Sequence, residues 1–345
     1  MTTTAPLLLN GLPGSPYTRK MVALLRYRRI AYTLLPSASG VPGLPQARPP
    51  LLPTFYLPDA EGTLQPATDS TPLIRRFEAE HKQRRVVPPS PALALIDALL
   101  EDFGDEWLTK AMFHYRWTRA ADIRKAGQLL GVWRGPPQDD AALAQTAARV
   151  SERQIPRLRF VGSNAVTGPV IEAGYRRVLE AFEDHLRAHR FLMGQRPGAS
   201  DFAFYGQLTQ LTQFDPTPMA LATEIAPRAC AWTLLMEDLS GFEVDDDGWL
   251  DAQALPPTLT RLLHEAGRLY APLMLANAAA LAAGEPEVNT QVDGQPWMQQ
   301  AFAYQGKCLG WLRRDHAALD AQARRMFDRA LAGTGCDTLF AAAAR

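Results

Sequence analysis

Hydrophobic and polar positions alternate with two different periods over the first 80 residues. Short apolar runs at 7–9 and near 31–35 predict strands, and the proline-led, β-rich segment 53–65 predicts a hairpin. Amphipathic segments that begin near Pro16 and at 71–82 predict helices. This order of strand, helix, strand, hairpin and helix indicates a small α/β unit at the N-terminal end.

Helical periodicity dominates the rest of the chain, after a stretch with three prolines in four residues that cannot be the interior of a helix. The predicted helices cover 92–117, 139–154, 170–188, 199–214, 257–283, 296–313 and 316–332. We therefore expect four parts: an α/β domain over 1–84, a Pro-rich linker over 85–91, an all-helical domain over 92–240, and an additional helical extension over 241–345 packed on it.

The segment 296–305 within this extension carries aromatic residues at helical spacing. The favoured interpretation is core packing against the helical domain. Two alternatives stay open: a roof over a substrate pocket, or a dimer surface.

Composition excludes several classes of partner. The chain has 345 residues with 36 Lys and Arg against 36 Asp and Glu, so its net charge is zero. Nucleic acid is not expected as a partner, because binding to its backbone needs a basic surface. No run approaches the roughly 18 apolar residues of a membrane helix, and the first residues lack the pattern of a signal peptide. We therefore expect a cytoplasmic protein with no membrane partner.

Metal binding is not expected either. Cys230, Cys308 and Cys336 are widely spaced and form neither a disulfide framework nor a metal-binding pattern. His185 and His189 have the spacing of metal ligands on a helix, but no third ligand accompanies them in a recognisable motif.

The loop 12–20, with the sequence LPGSPYTRK, is the strongest candidate for chemistry. Ser15 is a good N-cap and Pro16 suits the first helical position. Such a helix start presents free N–H groups and positive dipole character to an anion. A serine hydroxyl there can donate to a thiolate brought by a ligand; the simpler alternative is an ordinary capped helix after a strand.

Together with two further motifs, this loop resembles the soluble, cytosolic-type glutathione transferases, in a bacterial-type form with an extended C-terminal region. The motifs are LLPTFYL at 51–57, ATDSTPLI at 67–74 and FLMGQRPGASDF at 191–202. In the last of these Asp201 matches the family pattern, while Gly198 replaces the usual capping Ser or Thr. The resemblance implies a thioredoxin-like α/β N-terminal domain plus an all-α C-terminal domain, here with extra C-terminal helices.

The resemblance also implies a site for glutathione as co-substrate. Leu52, before a cis Pro53, would pair through its backbone with the cysteinyl part of glutathione, as an added strand does at a sheet edge. Asp69 would accept from the γ-glutamyl amine, and Ser70 at a helix start would donate to the carboxylate. The sulfur would then point at Ser15.

Two points about catalytic groups remain open at this stage. Tyr17 is the rival to Ser15 as the catalytic hydroxyl, although tyrosine acts from an earlier position in other branches of the family. Several branches place cysteine where this chain has Ser15. Because residues 1–229 contain no cysteine, a mixed disulfide between the protein and glutathione at this site is excluded.

The second substrate would lie beside the helix that follows the linker. Trp107, Phe113, His114 and Trp117 are candidates to line this apolar pocket; for His114 alone, a structural role is the favoured alternative. The expected partners are glutathione and a small apolar electrophile or a disulfide, within a homodimer. The expected function is a glutathione-dependent transferase of the Ser type, with disulfide reduction as a possible activity; the alternative is a related binding or structural protein without catalysis.

Overall fold

A four-stranded mixed sheet forms the N-terminal part of the chain. The computed structural model describes residues 5–36, 41, 43–134 and 139–341. The strands are β1 (Leu7–Asn10), β2 (Tyr32–Leu35), β3 (Thr54–Pro58) and β4 (Leu64–Ala67). Their spatial order is β2-β1-β3-β4, with β1 parallel to β2 and the other pairs antiparallel. This is the thioredoxin-like arrangement that the resemblance implies.

Two helices accompany the sheet. Helix α1 (Pro16–Tyr27) connects the parallel strands, and α2 (Ser70–Glu80) follows the last strand. Both start near the predicted positions, because the proline in each first turn has no N–H to leave unsatisfied. The sheet and helices bury one apolar core, which includes Leu9, Leu24 and Phe55.

The helical part begins at Pro91 and contains two π-helical turns that the sequence does not indicate. Its elements are α3 (Pro91–Phe103), a π-helical turn (Gly104–Leu108), α4 (Thr109–Thr118), α5 (Ala120–Arg134), α6 (Asp140–Gln154), a 3-10 segment (Ile155–Val161), α7 (Gly168–His185), α8 (Ala199–Thr209), a second π-helical turn (Gln210–Phe214), α9 (Pro216–Ile225) and α10 (Pro227–Leu235). No helix in the described ranges combines the length and apolar character that a membrane crossing requires.

The predicted helix over 296–313 is wrong in its first half. The C-terminal region contains α11 (Pro257–Ala283), β5 (Glu287–Val292), β6 (Gln295–Gln300), α12 (Ala303–Ala317), α13 (Ala321–Leu331) and a 3-10 segment (Cys336–Phe340). Strands β5 and β6 form an antiparallel hairpin, so the extension is not helical throughout.

The hairpin has a local cause that helical periodicity overlooks. Asp293 and Gly294 both have positive φ, 55° and 68°, as the two-residue turn of a tight hairpin requires. Along the strands the buried positions alternate, with Val292 and Trp297 fully buried. The observed strands follow the two-residue alternation of buried positions rather than the helical spacing of the aromatic residues.

The extension packs on the helical part and shares its core. Helix α11 lies against α7, and both α12 and α13 contact α3. Trp297 of the hairpin packs on Trp107, with ring centroids 5.5 Å apart. Apolar residues from the first strand to Leu339 belong to one continuous core.

Helix α1 lies directly on α8, and a glycine allows their close approach. A Cβ on Gly206 would lie 2.5 Å from the carbonyl oxygen of Pro16. Because that oxygen belongs to the backbone, a larger residue at 206 would push the start of α1 away.

We expect Gly206→Ala to lower the free energy of unfolding by about 1–3 kcal/mol, because the added methyl group clashes with backbone. Gly310→Ala is the matched control: Gly310 is also helical, and its Cβ would meet nothing within 4 Å. There we expect no loss, or a gain of up to about 1 kcal/mol. Urea unfolding of both variants measures the difference; equal stabilities would contradict the close packing.

Candidate functional site

Ser15 caps helix α1 and touches the segment that precedes Pro53. Its Oγ accepts from the Thr18 N–H at 3.2 Å and donates to the Leu52 carbonyl oxygen at 3.3 Å. The predicted capping role is confirmed. The hydroxyl therefore lies between a helix start and a sheet edge, within reach of a ligand that lies along that edge.

The peptide bond between Leu52 and Pro53 is cis, as the resemblance implies. Pro53 is buried and Leu52 is half-buried at the start of β3. The Leu52 carbonyl is the group that accepts from the Ser15 hydroxyl.

Tyr17 directs its hydroxyl away from this edge. The hydroxyl donates to the backbone oxygen of Asp105, in the first π-helical turn, at 3.0 Å. Burial raises the pKa of Tyr17 well above its usual value. A protonated hydroxyl already held by a carbonyl is poorly placed to assist a thiolate beside Ser15.

Asp69 and Ser70 lie together at the start of α2. Asp69 has φ 82° and ψ 106° and makes no capping hydrogen bond to its own helix. Instead it accepts from the Tyr304 hydroxyl, on the extension, at 2.8 Å. Ser70 Oγ accepts from the ammonium group of Lys20 at 3.0 Å, which leaves the serine hydroxyl proton free to donate.

A buried acidic cluster lies behind this position. Lys20 is fully buried, with its Nζ 2.7 Å from Glu101 and 2.6 Å from Asp105. Next to these three residues lie Asp102, Glu106 and Cys308. One carboxylate oxygen from each acid and the Cys308 sulfur are within 4.8 Å of one another. The cluster carries more carboxylates than cations.

The four residues predicted to line the second-substrate pocket occupy different surroundings. Trp107 is fully buried against Trp297, and Trp117, 2% exposed, packs on the half-buried Phe113. His114 is held at both ring nitrogens, 2.7 Å from Ser163 Oγ and 3.0 Å from Glu172 Oε1. Burial lowers the pKa of His114, as expected for a histidine with a structural role.

A cavity of about 200 Å³ lies beside the loop that carries Ser15, and none of those four residues lines it. Its walls are Pro13, Arg19, Trp133, Thr209, Gln210, Gln213 and Phe214. Arg19 is ion-paired with Glu237 at this position. The predicted helices do not cover 118–138, so Trp133 is not among the predicted site residues. Apolar residues at 123, 126, 130 and 133 nevertheless have the spacing of a helix.

Buried polar side chains hold the loop before Ser15. Arg116, 3% exposed, donates to the Gly14 carbonyl at 3.1 Å and to Asp215 and Gln210 at 2.8 Å. Gln210 donates in turn to the Pro13 carbonyl at 3.1 Å. The two carbonyls that precede Ser15 are thus fixed from the helical part of the molecule.

We expect Arg116→Met to lower the free energy of unfolding by about 3–5 kcal/mol, because Asp215 is fully buried and would lose its cation. The double variant Arg116→Met with Asp215→Asn removes the buried carboxylate that has lost its partner. It should therefore recover part of the lost free energy of unfolding. Urea unfolding measures both; a loss below about 1 kcal/mol in the single variant would contradict this account.

Glu106 gives a pH dependence with a definite sign. Burial raises its pKa from 4.5 to about 7, and the nearby Asp102 adds to the shift. The folded state therefore keeps a proton that the unfolded state has lost, so stability falls as the pH rises from about 4.5 through 7.

Glu106→Gln cannot titrate, and its stability should decline less than that of the wild type between pH 5 and 8, by on the order of 1–3 kcal/mol. Glu61→Gln, at an exposed turn, serves as the control for removal of one charge. Urea unfolding across this pH range tests the difference, and parallel curves for wild type and Glu106→Gln would refute it.

Several solved structures are similar to this chain. A glutathione S-transferase from Methylobacterium radiotolerans, in complex with glutathione sulfonate, is 19% identical, with 73% of this chain and 98% of that chain covered and a TM-score of 0.43. A family member from Pseudomonas fluorescens with two glutathione bound is 12% identical (69% and 95% covered, TM-score 0.42). A glutathione transferase from Burkholderia graminis with two glutathione molecules bound per subunit is 14% identical (76% and 88% covered, TM-score 0.41).

Two family models match the sequence itself, whereas a search of the curated proteins finds no match. The model of the glutathione S-transferase N-terminal domain matches residues 9–85, which contain Ser15, Asp69 and all of the sheet except the first half of β1. The model of the C-terminal domain matches residues 172–239, from within α7 to just beyond α10. The chain thus carries matches to both domains of the glutathione S-transferase family, in the family's order, at residues 9–85 and 172–239, and it continues beyond them in an additional C-terminal region.

Proposed function

We propose that the protein is a glutathione-dependent transferase in which Ser15 activates the thiol. The observation that supports this most directly is the contact between the Ser15 hydroxyl and the Leu52 carbonyl. It brings together a hydroxyl donor, a helix N-terminus and a backbone edge that can pair with a peptide. A tripeptide thiol requires these three groups side by side.

Glutathione would bind along the edge before Pro53. Its cysteinyl backbone would pair with Leu52, so that the Ser15 hydroxyl turns from the Leu52 carbonyl to the incoming sulfur. At the γ-glutamyl end, Ser70 and the start of α2 would donate to the carboxylate, and Asp69 would accept from the ammonium group. The start of α1 would thus face the thiolate of glutathione, and the start of α2 would face its γ-glutamyl carboxylate.

Activation of the thiol needs no base triad. A free thiol has a pKa of about 8.5, so little thiolate is present at neutral pH. A hydroxyl donor and the positive end of α1 stabilise the thiolate, and the proton leaves to solvent. The thiolate then attacks an electrophilic carbon, or a disulfide sulfur, held beside it.

We place the second substrate in the cavity next to Ser15. Trp133 and Phe214 supply an apolar wall, with ring centroids 5.6 Å apart. Gln210 and Arg19 add polar groups at its border. Its volume of about 200 Å³ is below the roughly 300–1,000 Å³ of most ligand pockets, so the second substrate would have to be small.

We expect Ser15→Ala to raise the apparent pKa of bound glutathione by about one unit and to lower kcat/KM at neutral pH about tenfold, because one hydrogen bond to the thiolate is lost. Thiolate absorbance and turnover of an aryl halide across pH measure both quantities. Ser90→Ala is a matched control, since Ser90 also caps a helix that begins with proline, α3. An unchanged pH profile in Ser15→Ala would exclude the proposed role.

A second candidate is a binding or structural protein that has kept the fold without the reaction. The observation in its favour is that Tyr304 already holds the Asp69 carboxylate. Calorimetric titration with glutathione and turnover of an aryl halide together separate the two functions. Binding that weakens strongly in Asp69→Ala, together with turnover, supports the transferase, whereas absence of binding, or binding without turnover, supports the second candidate.

A further inference from the structure

The carboxylate of Asp69 is turned toward the extension. Although Asp69 is at the N-cap position of α2, its side chain makes no hydrogen bond to that helix. One oxygen accepts from Tyr304 at 2.8 Å, and the other lies 3.7 Å from the ammonium nitrogen of Lys307. Only 15% of the Asp69 side chain is exposed. The extension therefore covers the Asp69 carboxylate, the group that is proposed to bind the ammonium of glutathione.

Helix α12 is anchored at this place by a second contact. Arg75, on α2, is ion-paired with Asp315, near the end of α12, at 2.6 Å. Helices α2 and α12 thus approach each other at two places, where Asp69 faces Lys307 and where Arg75 faces Asp315.

We propose that Lys307 is an internal competitor for the γ-glutamyl subsite: its ammonium group occupies the position beside Asp69 that the ligand's α-ammonium would take, and so sets the affinity for glutathione. This inference rests on the proposed function. Both groups are primary ammonium ions, and one carboxylate oxygen is left for them after Tyr304 is satisfied.

Lys307 is held loosely enough to be displaced. Its side chain is 55% exposed, and an ion pair of 3.7 Å at the surface contributes little. In the same position the ammonium lies 4.5 Å from the centroid of the Trp311 ring, a contact that does not depend on Asp69 and that a small shift away from Asp69 can keep. Displacement of the Lys307 ammonium by the ammonium of a ligand therefore costs little free energy.

The surroundings of Asp69 favour a cation whether or not Lys307 stays. Glu106 lies close enough to interact with Asp69 electrostatically. Lys20 is committed to Glu101 and Asp105. When Lys307 leaves, the ligand's ammonium group supplies the missing positive charge.

The test compares two ligands on Lys307→Met. One is glutathione, and the other is glutaryl-cysteinylglycine, which lacks only the α-amino group. Removal of the competitor should raise the ratio of glutathione affinity to glutaryl-cysteinylglycine affinity about threefold to fivefold, as expected for a loose surface pair. Calorimetric titration of the full chain measures both affinities. Because the comparison is between two ligands on the same variant, a general loss of stability would not imitate the result.

Lys82→Met is the matched control, because Lys82 is an exposed lysine just beyond the end of α2. There the ratio should equal that of the wild type. A ratio that is unchanged or lower in Lys307→Met overturns the inference while glutathione binding itself still supports the proposed function. Binding by Lys307→Met alone supports the inference, and no binding by either protein overturns both.

Discussion

The buried ammonium group of Lys20 connects the three parts of the molecule that meet at the candidate site. Lys20 is on α1, Ser70 begins α2, and Glu101 and Asp105 belong to α3 and the π-helical turn that follows. Burial by itself would lower the pKa of Lys20, but Asp105 and Glu101 raise it overall. One permanent charge therefore sets the spacing between two helix starts and fixes both against the helical part.

A second buried ion pair, between Arg116 and Asp215, fixes the loop directly before Ser15. Arg116 and Asp215 lie in the helical part, yet Arg116 reaches the Gly14 carbonyl of the loop. Buried ion pairs add little net stability, since desolvation offsets their attraction. Their contribution here is position: the Ser15 hydroxyl lies between two rigid, charged contacts rather than on a free loop.

The extension takes part in both the core and the border of the site. Its hairpin places Trp297 on Trp107, which removes that ring from any role at a surface pocket. Its helix α12 places Tyr304 and Lys307 at Asp69. The additional region therefore determines the surroundings of Asp69 and of Trp107.

Local signals in the sequence are sufficient for the strands of the sheet, for the starts of α1, α2 and α3, and for the helix over 257–283, because proline positions, caps and periodicity act within a few residues. The arrangement of the sheet and the grouping of Ser15, Leu52 and Asp69 into one site come instead from the resemblance of three motifs to a family. The hairpin over 287–300 has a local Asp-Gly turn, but the helical spacing of its aromatic residues predicts a helix there instead. Only the tertiary structure could decide that Trp107 is core, that Trp133 lines the cavity, and that Tyr304 covers Asp69. Each of these depends on contacts between segments that are distant in the chain, and such contacts are set by packing and buried charge rather than by local pattern.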